Sequence, residues 1–315
     1  MKRTWLILDM SNLCYRAFYT TGGLSYDGDA TGVLYGMFRD IISLQDLFST
    51  NLIVFAFDGG YRKRKEIYPE YKCNRKKRAV PFSEDELELM DELRRQIVQL
   101  RVKHLPEIGF MNIAYQEGYE ADDLIAQVSQ QITSDGEYGI IVSSDQDLYQ
   151  CLDSHVTVWK PSKGGKMVTE DSFQKEWRVS PRQWAVVKSI SGCKTDDVPG
   201  VMGVGEKTAV KFLNKELKKT SKVYQRIVSQ EELCRRNLRL TKLPIEGTEF
   251  VSLVEDNMSK EKWDSVMESL GMKSLRKLVP KENRYSRHRL RKGKVIYRDP
   301  TSSVAEGDWD FDDDL

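Results

Sequence analysis

The chain has 315 residues, with 49 Lys and Arg against 48 Asp and Glu, a net charge of +1. This balance singles out no class of partner, and the length suits two domains better than one. Five cysteines without a close pair (Cys14, Cys73, Cys151, Cys193, Cys234) argue for a reduced, cytosolic protein with neither a disulfide framework nor a zinc knuckle. His104, His155 and His288 lie far apart, which argues against a histidine triad or zinc hydrolase and leaves each as a surface residue. Lys2-Arg3 before Trp5-Leu6-Ile7-Leu8 imitates a signal peptide, but Asp9 cuts the apolar run short, and Leu52 to Phe57 is too short for a membrane span.

In chain order, Trp5-Leu6-Ile7-Leu8-Asp9 has the pattern of a buried parallel strand, with Ser11-Asn12 placed to cap the next helix. Leu52 to Phe57 repeats the design and ends in Asp58-Gly59-Gly60. Tyr138 to Val142 repeats it again, ending in Ser143-Ser144-Asp145-Gln146-Asp147. Met111 to Tyr115 and Val156 to Trp159 supply two further strands. Strands alternating with helices predict an α/β fold: an open, mostly parallel sheet with helices on both faces. Ligands of such sheets bind beyond the carboxyl ends of the strands, where Asp9, Asp58 and Asp145 fall. One acid after a strand is usually a turn former or helix cap; several together favour a metal site.

Gly118-Tyr119-Glu120-Ala121-Asp122-Asp123 opens a helix whose buried stripe is Leu124, Ile125, Val128 and Ile132. Glu120 and Asp123, three apart, share one face at its start, where the helix dipole favours carboxylates. Read by itself this is a well-capped surface helix; with the strand-end acids it becomes part of a converging carboxylate set.

Between the second strand and that helix lies Tyr61 to Arg78, rich in Lys and Arg and interleaved with Tyr61, Tyr68 and Tyr71. Cations among rings suit nucleic acid, with phosphates on the charges and bases on the rings. Ser83 to Glu86 forms a capping box for a long helix striped by Leu89, Leu93, Ile97 and Leu100, which Pro106 ends. This insert, about residues 60–107, is placed to gate the carboxylates. From Pro181 the period turns helical, predicting a second, smaller domain. Gly203-Val204-Gly205 makes a tight turn into a helix from Glu206 to Leu213, whose first amides, with Lys207, suit a phosphate. After Val279 apolar periodicity ends. A basic arm (Arg284 to Arg298) and an acidic tip (Asp308 to Leu315) read as poorly ordered.

These stretches together resemble the structure-specific 5′ nuclease family of phage 5′–3′ exonucleases, polymerase I 5′ nuclease domains and flap endonucleases. The resemblance rests on Leu8-Asp9-Met10-Ser11-Asn12-Leu13, Phe57-Asp58-Gly59, Arg64 with Tyr71-Lys72-Cys73-Asn74-Arg75, Glu120-Ala121-Asp122-Asp123, Ser144-Asp145-Gln146-Asp147 and Gly203-Val204-Gly205. It implies a PIN-like catalytic domain over residues 1–180, with the insert as its helical arch. A helix-hairpin DNA-binding domain over 181–280 and a tail over 281–315 follow. It places Asp9, Asp58, Glu120 and Asp122 around one metal, and Asp123, Asp145, Asp147 and Asp196 toward a second. It puts Lys72 and Arg75 on the scissile phosphate and Arg64 on the strand nearby. Tyr71, Gly203, Gly205, Lys207 and Thr208 become DNA contacts.

The implied cofactors are two Mg²⁺ ions, replaceable by Mn²⁺, with K⁺ at the hairpin turn. The implied partners are DNA with 5′ ends, flaps or nicks, RNA–DNA hybrid, and replication proteins such as a single-stranded-DNA-binding protein. The chain is then a monomer of the cytoplasm of a bacterial or phage-infected cell, with no membrane role. The residues agree independently: so many carboxylates share a cavity only if cations neutralise them, and hard oxygens select Mg²⁺ or Mn²⁺. There is one departure. The family has Gly-Asp followed three residues on by Asp; here Gly192-Cys193-Lys194-Thr195-Asp196 puts a cysteine in the first place, which weakens the second site unless Asp197 fills the gap. A PIN-type ribonuclease and a catalytically weakened DNA-binding module are the competing readings.

Overall fold

The computed structural model describes residues 2–74, 83–162 and 164–278. Arg75, His288, the rest of the insert to Phe82, and the arm and tip after Leu278 lie outside the described residues. So do the side chains of Glu84 to Glu86, and with them the Ser83–Glu86 capping box.

The core is a sheet of β1 (Thr4–Asp9), β4 (Leu52–Ala56), β5 (Ile113–Ala114), β6 (Tyr138–Val142), β7 (Val156–Lys160) and β8 (Lys166–Val168), in the order β5-β4-β1-β6-β7-β8. All neighbours run parallel except β7 and β8. β2 (Ser25–Tyr26) and β3 (Asp29–Ala30) form a separate small hairpin. The period-2 alternation of strand side chains feeds two cores. Trp5, Ile7, Val54, Ala56, Ile141 and Val158 pack against Leu124, Ile125, Val128 and Ile132 of α6 (Ala121–Ser134). Leu6, Leu8, Ile53, Phe55 and Val142 face the other way, against α1 (Met10–Thr21) and α2 (Gly32–Phe48). The expected mostly parallel sheet covered on both faces is what forms. β1 sits at the switch point: the chain winds from it toward β4 and β5 on one side, then returns to β6 on the other, which is where open α/β sheets bind ligands.

Helices follow the sequence less closely at their ends. Asp9, not Ser11 or Asn12, caps α1, accepting from the Asn12 amide at 3.0 Å. α3 (Arg62–Ile67) begins the basic insert. α4 (Glu84–Gln99) runs on through a π-helical turn at Leu100–His104 into α5 (Leu105–Ile108). Pro106 therefore does not end the helix. It lies in the first turn of α5, where a missing N–H is harmless, and the stop falls at Gly109, whose φ of +100° suits glycine. Leu89 is exposed, while Leu93 and Leu100 are buried. His104 is buried rather than at the surface, and burial lowers its pKa. β5 is shorter than expected. Next to it the Met111 amide, which a longer strand would have paired, donates to the Asp256 carboxylate, and the Asn112 side chain donates to the Val254 carbonyl and to Asp256.

Beyond α7 (Glu170–Trp177), α8 (Trp184–Ser191), α9 (Glu206–Leu213), α10 (Lys222–Ser229) and α11 (Glu231–Thr241) form a helical layer. Its Trp184, Val187, Ile190, Ala209, Ile227 and Cys234 join the same apolar cluster as α6. The short strands β9 (Gly192–Cys193) and β10 (Val198–Pro199) lie between α8 and α9. After Thr241 the chain returns to the sheet. Trp263 of α12 (Lys260–Ser269) meets Phe38 of α2 edge to face at 5.6 Å, and Leu275 of α13 (Lys273–Arg276) joins that core.

One buried polar contact fixes α2. Its N-cap, Thr31, makes no side-chain cap; instead Gln96 of α4 accepts from the amides of Val33 (3.0 Å) and Leu34 (3.2 Å). A helix start buried without acceptors is costly. Gln96→Met keeps the volume and orphans both amides, so it should lower unfolding stability by about 1–3 kcal/mol in urea titrations. An unchanged midpoint would show that α2 is capped by other means.

Candidate metal centre and nucleic-acid interface

The strand-end acids meet. Asp9 closes β1, and its Oδ2 accepts from Ser143 Oγ at 2.7 Å. The same hydroxyl accepts the Asp145 amide at 3.0 Å, and Asp145 Oδ1 accepts the Asp147 amide at 2.8 Å. Ser143 is the first residue after β6, so one hydroxyl sets the spacing of acids from two strands. From β4, Asp58 Oδ1 accepts the Ala121 amide at 2.8 Å, and its Oδ2 accepts from Ser11 Oγ. The Asp58 turn fits against the approach to α6 because residue 59 is glycine: a Cβ there would lie 1.8 Å from the Gln116 carbonyl oxygen. Asp122, in the first turn of α6, completes the group, so Asp145, expected toward the second metal, stands with the first, and Glu120, expected there, is held by Lys72 instead.

Asp9, Asp58, Asp122 and Asp145 enter none of the ion pairs among the described residues. Burial, aided by repulsion from Asp58 and Asp145, pushes Asp9 up to about 7. Burial and then the charges of Asp145, Asp9, Glu120 and Asp58 hold Asp122 well above the carboxylate range. Carboxylates that destabilise one another's charge are what a divalent cation relieves, and their hard oxygens suit one, though these ligand atoms are spread more widely than those of the described trio that gathers within 4.8 Å, Asp147, Cys193 and Asp196.

Glu120 and Asp123 differ. Asp123 is fully buried, and both its oxygens take Arg64 at 2.6 and 2.8 Å. It also accepts the amides of Glu120 (3.1 Å) and Ile245 (3.0 Å). Its acceptors are spent on this bidentate pair and on capping α6, so its expected place at the second metal is corrected: Asp123 faces Arg64. Arg64 is itself only 3% exposed and donates Nε to the Leu240 carbonyl at 3.0 Å. It is an internal tie between α3, α6 and α11, not a hand on a DNA strand. Glu120 receives Arg64 at 3.0 Å, Tyr71 Oη at 2.8 Å and the Lys72 ammonium. Burial works to raise its pKa, but Lys72 and Arg64 outweigh it and hold Glu120 below the usual range. Tyr71 is buried at 4% exposure, with its hydroxyl on Glu120, so it offers no base a free ring.

A second group gathers at the start of the helical layer. One ligand atom each from Asp147, Cys193 and Asp196 lies within 4.8 Å of the others. Burial, then the charges of Asp196 and Asp147, push the Cys193 thiol up to about 11. Burial and Asp145 push Asp147 up to about 6 against the pull of Lys188, 3.2 Å away. Lys72 Nζ reaches Asp196 Oδ1 at 3.4 Å, so one ammonium touches Glu120 and Asp196 together. Asp197 does not fill the cysteine's gap: its carboxylate accepts the Asn74 amide at 2.8 Å and the Asn74 side chain at 3.4 Å, pinning the turn that carries Lys72.

At the hairpin turn Gly203 (φ +75°), Gly205 and Lys207 are exposed and Thr208 is half-buried at the start of α9. The Met202 carbonyl accepts from Arg226 at 2.6 Å, so one oxygen of this turn is already held by a fixed cation. Elsewhere Arg236 lies 4.2 Å over the Tyr68 ring and Lys65 lies 5.4 Å over Tyr61. Sequence reasoning missed Ser143, Ser11 and Lys188. Lys188 had a signal: it follows Trp184 by one helical turn, on the apolar face of α8.

Fold and site define an α/β protein of PIN-like architecture with a carboxylate centre at the switch point of its sheet. The family model for the 5′–3′ exonuclease N-terminal resolvase-like domain matches residues 4–178. The 5′–3′ exonuclease of Aquifex aeolicus is 33% identical over 68% of this chain and 70% of its own length. That of Buchnera aphidicola is 28% identical over 84% of this chain and 88% of its own. DNA polymerase I of Mycobacterium tuberculosis is 33% identical over 67% of this chain, which spans 23% of the polymerase. Among solved structures, T5 5′-exonuclease with bound divalent metal ions (zinc) superposes with a TM-score of 0.66 at 21% identity, over 88% of this chain and 97% of that one. Flap endonuclease-1 from Methanococcus jannaschii gives 0.55 at 16% identity, over 88% and 90%. These two are likenesses of fold. The chain belongs to the 5′–3′ exonuclease family.

The raised acids set a pH dependence. Asp9 rises from 3.8 to about 7 and Asp147 from 3.8 to about 6, so the native chain holds protons that the unfolded chain has released. Stability in EDTA should therefore fall as pH rises across this window, the slope being negative wherever the native state binds more protons. Asp9→Asn should flatten that fall, and a divalent cation should abolish it in the wild type, as read by urea unfolding at both ends of the window. A wild-type chain whose stability rises across the window in EDTA would contradict the crowding.

Proposed function

We propose that the chain hydrolyses phosphodiester bonds near 5′ ends or branch points of DNA, with Mg²⁺ as cofactor, Mn²⁺ as a substitute and two ions as the working number. As a member of its family it is a 5′ nuclease, an exonuclease or flap endonuclease of replication or repair. The observation that carries the reading is the group of Asp9, buried, Asp122, half-buried, and Asp58 and Asp145, exposed beside them, crowded with no cationic partner among the described residues. Bound cations supply an activated water at neutral pH and neutralise charge in an in-line displacement.

The chain's own residues do the rest. Asp9, Asp58, Asp122 and Asp145 hold the first ion, and Asp147 and Asp196 face the second place. Ser143 and Ser11 fix the carboxylate orientations through their hydrogen bonds. Lys72, which spans Glu120 and Asp196, is the cation that meets the scissile phosphate, with Arg75 three residues on in the sequence. Gly203, Gly205, Lys207 and Thr208, at the turn into α9 and its first residues, grip duplex phosphate. Residues 1–180 serve as the catalytic domain, 60–107 as its arch and 181–280 as the duplex-holding domain. RNA–DNA hybrid is a second substrate class for the same chemistry, which reads the phosphate and not the sugar.

The test is cleavage of 5′-labelled flap, nicked, blunt and RNA-primed substrates with and without Mg²⁺. Asp145→Asn should abolish cleavage while leaving flap binding in Ca²⁺ intact. Lys72→Ala should lower the single-turnover rate by about 10²–10³-fold, the usual effect of deleting one transition-state donor. Lys207→Ala should instead weaken duplex binding and reduce its salt slope by about 1. Normal turnover by Asp145→Asn would remove the reading.

A further inference from the structure

The two carboxylate groups are not electrostatically equivalent. The first makes no ion pair among the described residues, whereas the second carries cations of its own. Lys188 Nζ lies 3.2 Å from Asp147 Oδ1 and 2.8 Å from Glu206 Oε1. Lys72 Nζ lies 3.4 Å from Asp196 Oδ1. Cys193, which shares the space with Asp147 and Asp196, brings a thiol, a poor partner for a hard cation. Two carboxylates thus face two ammonium groups.

Lys188 is an unusual occupant of its position. It is 8% exposed, on the buried face of α8, with Nζ 5.4 Å from the centre of the Trp184 ring. Taking an ammonium out of water costs several kcal/mol unless partners restore the loss. Methionine or leucine would fill the same volume without that cost, so packing gives no reason for the charge. Its two acids come from different elements. Asp147 follows β6, and Glu206 opens α9 directly after the Gly203-Val204-Gly205 turn. One ammonium thereby joins a candidate metal ligand to the helix start proposed to hold duplex.

We propose that Lys188 is a resident counter-ion of the second carboxylate group, which weakens divalent-cation binding there and ties Asp147 to the first turn of α9. The inference rests on the nuclease reading for the identity of the first group as the tight site. Lys188 shares its charge between Asp147 and Glu206, so a change at the hairpin turn reaches the second site through it. Lys188 is a positioning residue in this account and touches no reacting atom.

Calorimetric titration of Mn²⁺ into the metal-stripped full chain, without DNA, tests this. The wild type should show one tight event and a second, weaker one. Lys188→Met should tighten the second by at least about tenfold, well within the scale of one charge–charge contact at an effective dielectric of about 20, and leave the first unchanged. Lys188→Arg, which keeps the charge, should match the wild type. Glu206→Gln leaves the ammonium to Asp147 and should weaken the second event. A second event that is unchanged or weaker in Lys188→Met overturns the proposal. If that variant does not fold, Glu206→Gln, at a half-exposed position, decides: an unchanged or tighter second event overturns it. Asp122→Asn separates the two claims. Survival of the tight event in that variant would sink the nuclease reading of the first group and leave the Lys188 result to stand on its own.

Discussion

Four carboxylates brought to the carboxyl edge of a sheet, with no cation among the described residues to neutralise them, are the constraint around which this molecule is arranged. Burial, with the neighbouring like charges adding to it, raises the pKa of Asp9 and Asp122. The fold opposes that repulsion with rigid parts. Asp9 ends a fully buried strand, Asp58 is fixed by the Ala121 amide, and Ser143 joins Asp9 to Asp145. Acids the chain neutralises are doing a different job from acids it leaves to repel, and this distinction sorts them better than sequence position does.

Arg64 and Asp123 show the other side of that distinction. Their bidentate pair, with the Leu240 carbonyl and the Ile245 amide, binds the start of the insert to α6 and to the end of the helical layer. Breaking such a buried pair exposes an uncompensated charge, so it resists loss, although a well-packed apolar pair could hold the same elements together. The Lys72 turn is pinned from the helical layer as well, by Asp196 and Asp197. The apolar cluster beneath runs from the sheet into α8, α9 and α11 without a break. The place where Lys72 meets the carboxylates is therefore built jointly by both halves of the chain.

The strands and the acids after them were legible because one local pattern, an apolar run closed by Asp, carries both. Trp5 to Asp9, Leu52 to Asp58 and Tyr138 to Asp145 needed no tertiary knowledge. Asp123, Arg64 and Tyr71 take other places than expected, and the question left open at Asp197 closes against it, because their chemistry depends on partners far along the chain. A carboxylate that caps a helix and pairs with a buried arginine looks, in sequence, like one that binds metal. Pro106 misled for a related reason: it falls in the first turn of a new helical segment, where it is tolerated, after a π-helical turn that no residue announces. The cysteine at 193 was legible as a departure. What the sequence could not supply was that Lys188 and Lys72 already stand beside Asp147 and Asp196.

A cation drawn to Asp9, Asp58, Asp122 and Asp145 is what this arrangement of carboxylates requires, and locating that cation is the most direct test. Crystals of the chain soaked in Mn²⁺ and measured near the manganese absorption edge should show their strongest anomalous peak among Asp9, Asp58, Asp122 and Asp145. Any peak beside Asp147 and Asp196 should be weaker. No peak among the first four, or a strongest peak at the second group, would contradict it.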